Sequence, residues 1–170
     1  MEAYVNVGHH WFCDLGVRLV NEARKQFALE TAKVVINGIG LEIEALEIVG
    51  STFISDKTTS DVDVLVRCKN FDKDEITLRG WEYGGSVGLG NDDWASWKRT
   101  FYVVGTKIEV NLLVTASVGL YHDWLTAADV CRFLHLAGVH LTRGQVHGVH
   151  SLIMNETDLD ADTLKRWDYA

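Results

Sequence analysis

Two acidic residues on alternate positions, Asp61 and Asp63, open the run Asp61-Val62-Asp63-Val64-Leu65-Val66. Alternation with a period of two marks a half-buried strand. On a strand, residues i and i+2 share a face, so the two carboxylates project together while Val62, Val64 and Val66 point the other way, into a core. Carboxylates side by side repel unless a cation lies between them. Taken alone, the pair also reads as a solvated strand edge with two chance acids. Its surroundings argue for more. Leu46-Glu47-Ile48-Val49, a short β-prone run, ends in Gly50-Ser51. A polar loop, Ser55 to Ser60, then leads to Asp61. A third acid, Glu109, stands between Ile108 and Val110 in another alternating run, Lys107 to Thr115. Gly50 lets backbone approach a phosphate closely. Ser51 and the amides that open the following turn suit the same anion.

The composition bounds what can surround these residues. A chain of 170 residues that is 47% hydrophobic and 24% charged folds as one globular domain with a sizeable core. A net charge of −8 argues against electrostatic coating of nucleic acid, though not against a local basic patch. Three scattered cysteines, Cys13, Cys68 and Cys131, point to reduced thiols and a cytoplasmic setting. No Cys/His spacing suggests zinc. The N-terminus has neither a basic region nor an apolar signal core, and no apolar run reaches the roughly 20 residues of a membrane span, so no membrane partner is expected. Proline is absent, which leaves turns to the 15 glycines and to Asn and Asp.

The elements that must position the acids follow in order. Val7 to Ile36 reads as a helix with an apolar stripe of Leu15, Leu19, Val20, Ala23, Phe27 and Ala28, and with Arg18, Glu22, Arg24, Lys25 and Glu30 opposite. Asn37-Gly38 and Gly40 stop it. Leu46 to Val49 is the first strand, Thr52 to Ser55 a single helical turn, and Asp61 to Arg67 the second strand. Ile76 to Leu78 is a short extended piece. Gly80 to Asp93 is glycine-rich and reads as a long loop, without the register of a nucleotide fingerprint. Trp94 to Arg99 is aromatic and basic. Phe101 to Val104 and Lys107 to Thr115 make a hairpin around Gly105-Thr106. Leu120 to Ala137 is a helix with Leu125, Ala128, Val130, Phe133, Leu134 and Leu136 inward. Leu141 to Met154 is a second helix with Val146, Val149, Leu152 and Ile153 inward. The fold class is α/β (α+β): a small mixed sheet with flanking helices, comprising a core at 41–115, a helical pair at 116–155 and a polar tail at 156–170.

Together these pieces resemble the nucleotidyltransferase superfamily, the DNA polymerase β-like fold. Its signature is an apolar residue, Gly, then Gly or Ser, roughly ten residues, then Asp-apolar-Asp/Glu-apolar, with a third carboxylate between apolar residues on a later strand. Val49-Gly50-Ser51, Asp61-Val62-Asp63-Val64 and Ile108-Glu109-Val110 fit the three parts, over the span from about Leu46 to Thr115. The short chain and its Glu-Val-Asn-Leu-Leu-Val-Thr strand are also similar to small phage-encoded nucleotidyltransferases, which implies the host cytoplasm as its location. The resemblance implies a minimal nucleotidyltransferase-like fold that moves a nucleotidyl group from an NTP to a hydroxyl with Mg²⁺ or Mn²⁺. It implies that Asp61 and Asp63 hold the metal, and that Glu109 holds the ion beside the attacking hydroxyl and helps deprotonate it. The usual third acid is Asp, and Glu is one methylene longer. Gly50 and Ser51 take phosphates. Lys57, Ser60, Lys98 and Arg99 are further candidates for phosphate contact, the basic ones being equally readable as solvated surface charges. tRNA, another protein, a small molecule and self-modification are all open as acceptors.

Other readings compete. A nucleotide- or protein-binding module on the same scaffold needs no third acid. Trp94 and Trp97 suit stacking on a base, but core packing is the better reading for at least one. Arg143 and His150 loosely fit a ribonuclease spacing, in a helical segment too short for that domain. His9-His10 and the pair His147 and His150 suit a metal less well than a frayed terminus and a polar helix face. Cys131 reads as a small packed hydrophobe.

Overall fold

The computed structural model describes residues 8–55, 61–69, 71, 78–84 and 94–154, with side chains from Gly16 onward. Lys57, Ser60, Ile76, most of the glycine-rich stretch, the polar tail and the His9-His10 side chains lie outside the described residues.

The elements are α1 (Gly8–Gly38), β1 (Glu42–Val49), α2 (Gly50–Ser55), β2 (Val62–Lys69), β3 (Glu82–Tyr83), β4 (Trp94–Val103), β5 (Thr106–Thr115), α3 (Val118–Leu136) and α4 (Arg143–Ile153). The strands form one mixed sheet in the order β1-β2-β5-β4-β3. β2 and β5 run parallel at its centre, and every other pair is antiparallel. The expected α/β class with flanking helices is what the chain adopts.

Several elements differ from the sequence reading. β1 begins at Glu42, four residues earlier than expected, with an irregularity between Ile43 and Ala45 that hides its period. Trp94 to Val103 is one ten-residue strand instead of an aromatic-basic stretch and a separate strand. It pairs with β5 along its whole length, down to Val103 opposite Thr106. The hairpin turn is therefore Val104-Gly105, both at positive φ (49° and 78°), as a two-residue loop between twisted strands requires. Glu82 and Tyr83, expected in the long loop, form the short edge strand β3.

One face of the sheet is aliphatic. Val62, Val64, Val66 and Cys68 from β2 join Ile108, Val110, Leu112 and Val114 from β5 beneath Ala28, Ala32 and Ile36 of α1. The inward line of α1 continues through Arg24 and Asn21, both buried, while Leu19 and Val20 are 63% and 50% exposed. The expected stripe is thus rotated, and Arg24 belongs to the inward side. At 1.5 Å per residue α1 is about 46 Å long, well beyond an eight-residue strand. Of the described apolar side chains before Asn21, Val17, Leu19 and Val20 are exposed.

The other face carries α2 and α3, with α4 packed on α3. Val49, Leu65, Tyr121 and Ala128 form the small core there, with Phe53, Leu113, Trp124 and Leu125 around it. Ser117 caps α3 by accepting from the Leu120 amide, and Thr142 and Gln145 form a capping box on α4. The inward sets of both helices are corrected. Phe133, Leu136 and Leu152 are 70%, 75% and 74% exposed, whereas Cys131, His150 and Ser151 are buried. Cys131 packs as expected. Trp94 and Trp97 are both buried, in edge contacts with Trp124 and Phe71, so neither offers a free face for a base.

Candidate metal and phosphate site

β1 delivers the chain to Gly50 beside the start of β2, because Val49 pairs with Asp63. Gly50 opens α2 at φ 70°. A Cβ there would fall inside the Asp63 carboxylate, so only glycine fits. Thr52, fully buried, donates its hydroxyl to the Asp61 carbonyl at 2.7 Å and so ties α2 to the start of β2. The two ends of the polar loop are thereby fixed around the acids. Ser51 lies in the first turn of α2, its carbonyl accepting from Ser55 Oγ at 3.1 Å.

Asp61 and Asp63 share the face opposite the aliphatic core, as alternation requires. The third group that meets them is Asn111. Its Nδ2 donates to Asp61 Oδ2 at 2.5 Å and to Asp63 Oδ1 at 2.8 Å. The parallel register explains this convergence, since Asp63 lies directly opposite Asn111. Glu109 is on the same face, two residues and about 7 Å earlier on β5. It makes an ion pair with Lys107 at 3.1 Å. Among the described residues no three His, Cys, Asp or Glu side chains gather into a metal-holding group. The expected convergence of three carboxylates is therefore corrected: two carboxylates and an amide meet, and Glu109 stands one step aside.

The electrostatics follow from crowding. Burial, first, and the Asp61 charge, second, push the Asp63 carboxyl up to about 7, against the opposing pull of the Asn111 hydrogen bond and the Arg143 charge. Arg24 is 4% exposed; burial draws its guanidinium down from the usual value while Asp61 pulls it back up. An arginine from α1 and one from α4 thus act on the acid pair from two elements distant in sequence. Neither was expected here.

Across the sheet the row continues from Asp63 to Asn111, then to Lys98 on β4 and Glu82 on β3. Lys98 pairs with Glu82 at 3.4 Å. Glu109, opposite Thr100, joins them in an open polar cleft of about 380 Å³ lined by Gly80, Glu82, Lys98, Arg99, Thr100 and Glu109. Arg99 sits over the Phe101 ring, 5.1 Å from its centroid. Lys98 therefore borders the acids' row directly, while Arg99 reaches the cleft from the other side of the strand.

The histidine readings are corrected too. His150 is 8% exposed against Trp124, and burial, with the nearby His147, pulls it down to about 4. It packs as a neutral side chain and is not part of a polar face, whereas His147 is exposed.

No family model matches the chain, and no curated protein and no solved structure matches it. The geometry of the site therefore carries the functional argument, beside the motif resemblance. In that geometry Asn111 turns its amide nitrogen, not its oxygen, toward both acids; two carboxylates and an amide oxygen are the donor types that Mg²⁺ or Mn²⁺ would take.

Proposed function

We propose that the protein binds a nucleoside triphosphate together with Mg²⁺ or Mn²⁺ at Asp61, Asp63 and Asn111, and transfers the nucleotidyl group to a hydroxyl. The observation that carries this reading is the forced proximity of Asp61 and Asp63. The fold presses Asp63 against Gly50 and beside a second acid, at the cost of holding a proton near neutral pH. A strand that served stability alone would gain by replacing either acid. A divalent cation supplies what the pair lacks, the neutralisation of charge between carboxylates and phosphate oxygens.

Charge balance supports a phosphate-bearing ligand. Arg24 and Arg143 already offset two carboxylates, so a dication leaves the cluster positive. A triphosphate arriving with the cation restores the balance. Lys98, next in the row beyond Asn111, lies where a phosphate chain running along β5 and β4 would pass.

The transfer itself needs an acceptor oxygen to attack the α-phosphorus while the bond to the β-phosphate oxygen breaks and pyrophosphate leaves. The attacking hydroxyl must lose its proton. Glu109 suits that role, because it is a carboxylate one strand step from the acid pair that also lines the open cleft. In this reading the cleft receives the acceptor, whether RNA, protein or small molecule, and Glu109 acts without binding the cation.

Asn111 favours a second reading. A neutral amide where a third carboxylate would complete the site suits a module that binds a metal–nucleotide complex without transfer. Incubation of the pure protein with each α-labelled NTP, Mg²⁺ or Mn²⁺, and a cell extract separates the two. Label on an RNA, protein or metabolite fraction, lost in Asp63→Asn, is the expected result. Tight nucleotide binding with no labelled fraction would favour the module.

A further inference from the structure

Asn111 is more than a substitute for a missing acid, because its amide nitrogen bridges the two aspartates. One Nδ2 lies within hydrogen-bond distance of a carboxylate oxygen on each aspartate, 2.5 Å from Asp61 and 2.8 Å from Asp63. The backbone of Asn111 is fixed by pairing on both sides, to Asp63 in β2 and to Lys98 in β4. The side chain's last torsion is a different matter. A terminal amide torsion is broad and two-fold, and half a turn exchanges the donor end for the acceptor end.

We infer that Asn111 is a two-position arm: in the metal-free protein its Nδ2 bridges Asp61 and Asp63, and in the metal-bound protein its Oδ1 faces the cation as the third protein ligand. This rests on the reading of Asp61 and Asp63 as a divalent-cation site. A cation repels the Nδ2 hydrogens and attracts Oδ1, so binding and rotation are the same event. Rotation also gives up two hydrogen bonds to carboxyl oxygens. Two carboxylates and a neutral oxygen hold a dication more weakly than three carboxylates would. The free ion consequently binds weakly, and the ion escorted by a triphosphate binds well. Compared with a third carboxylate, the arm leaves the site more dependent on the triphosphate that accompanies the ion.

The test uses the full chain and Mn²⁺ alone, with free Mn²⁺ read by electron paramagnetic resonance. Asn111→Leu keeps the size of the side chain and removes both polar ends. It should weaken Mn²⁺ binding about ten-fold. Asn111→Asp should bind Mn²⁺ about ten-fold tighter than wild type, and melt lower than wild type in EDTA. Mn²⁺ binding to Asn111→Leu as tight as or tighter than wild type would overturn the inference, since the amide would then be only a plug. A measurement without substitution guards against misfolding: on wild type, Mg²⁺ should shift the Asn111 Nδ2 proton resonances and speed their exchange with solvent. Unmoved resonances under saturating Mg²⁺ would also overturn it. If wild type and Asp63→Asn bind Mn²⁺ alike, the metal reading fails first and the arm fails with it. If Asp63→Asn alone loses Mn²⁺ while Asn111→Leu keeps it, only the arm fails.

Discussion

β2 and β5 have two faces, and the faces obey different rules. Beneath α1 the eight residues from Val62 to Cys68 and Ile108 to Val114 that point inward are aliphatic or cysteine, and none exceeds 4% exposure. On the opposite face the same strands carry Asp61, Asp63, Leu65 and Arg67 beside Glu109, Asn111, Leu113 and Thr115. That face is graded. Its far end is packed by α3 around Leu65, and its near end is left polar where Gly50, Asp61 and Asp63 meet. Identical backbone and register therefore serve burial on one side, and on the other a cluster that burial alone would reject. Each buried aliphatic on the first face contributes about 1.5–3 kcal/mol. The polar end of the second spends part of that stability on holding two acids together.

The largest effect expected is at the junction of the two faces. Gly50→Ala places a Cβ in the Asp63 carboxylate and forces φ 70° on an L residue. It should cost about 4 kcal/mol in urea unfolding. Gly105→Ala is the control, with φ 78° and open space around it. That change should cost only about 1–2 kcal/mol. Equal costs would mean that Gly50 is needed for its backbone angle and not for Asp63.

Next comes packing. Leu112 is fully buried in the aliphatic face, and its neighbour Leu113 is half-buried in the graded one. Leu112→Ala should cost about 3 kcal/mol and Leu113→Ala roughly half as much by the same denaturation. A reversal would show that α3, not α1, covers the stabilising core.

A smaller effect is electrostatic and appears only without metal. Asp63 holds its proton up to about 7 in the fold, against an ordinary value of 3.8. The folded state thus binds more protons than the unfolded state between those values, and stability falls as pH rises through that window. His150 has the opposite acid-side behaviour. Its neutral form is buried, so it contributes stability above pH 6.5 that is lost as pH falls toward 4. Between pH 6.5 and 8 Asp63 outweighs His150, and EDTA-treated protein should show a net loss of well under about 1 kcal/mol over that range. Asp63→Asn, or millimolar Mg²⁺, should flatten the slope. A slope that persists in Asp63→Asn would assign it to another group.

The two faces also differ in how legible they were. Alternation of acid and aliphatic identified β2, and Ile108, Val110, Leu112 and Val114 identified β5, because period-two patterns are local. Register is not local. Only the pairing of Val62 with Val110 brings Asn111, instead of Glu109, opposite Asp63. A search confined to carboxylates passes over an amide two residues away. Arg143 was weighed for another chemistry, since nothing in its neighbourhood shows that α4 would fold back over α3 toward the acids. Arg24 was assigned to the wrong side of α1 because Leu19 and Val20 look like core residues. They are exposed because the buried line of the helix runs through Asn21, Arg24, Ala28, Ala32 and Ile36 instead. Periodicity reports an apolar stripe, not whether anything lies beneath it.

The smallest effect on the fold separates the roles within the graded face. The Glu109–Lys107 pair is exposed on both sides, with side chains 37% and 59% accessible, so its loss should change stability by no more than about 0.5 kcal/mol. Glu109 also stands outside the cluster of Asp61, Asp63 and Asn111, so Glu109→Gln should leave Mn²⁺ affinity and metal–NTP affinity within a few-fold of wild type. Asp63→Asn should lose both. If Glu109 takes the proton of the attacking hydroxyl, its interaction matters most in the transition state, and its removal lowers turnover without weakening ground-state binding. Label transfer by Glu109→Gln should consequently fall to a small fraction of wild type while nucleotide binding persists. Weaker Mn²⁺ binding in Glu109→Gln would instead restore it as a metal ligand and demand a shift of β5 relative to β2. Transfer at the wild-type rate would leave Glu109 as a strand acid paired with Lys107, and the proton would have to leave through another group on the cleft.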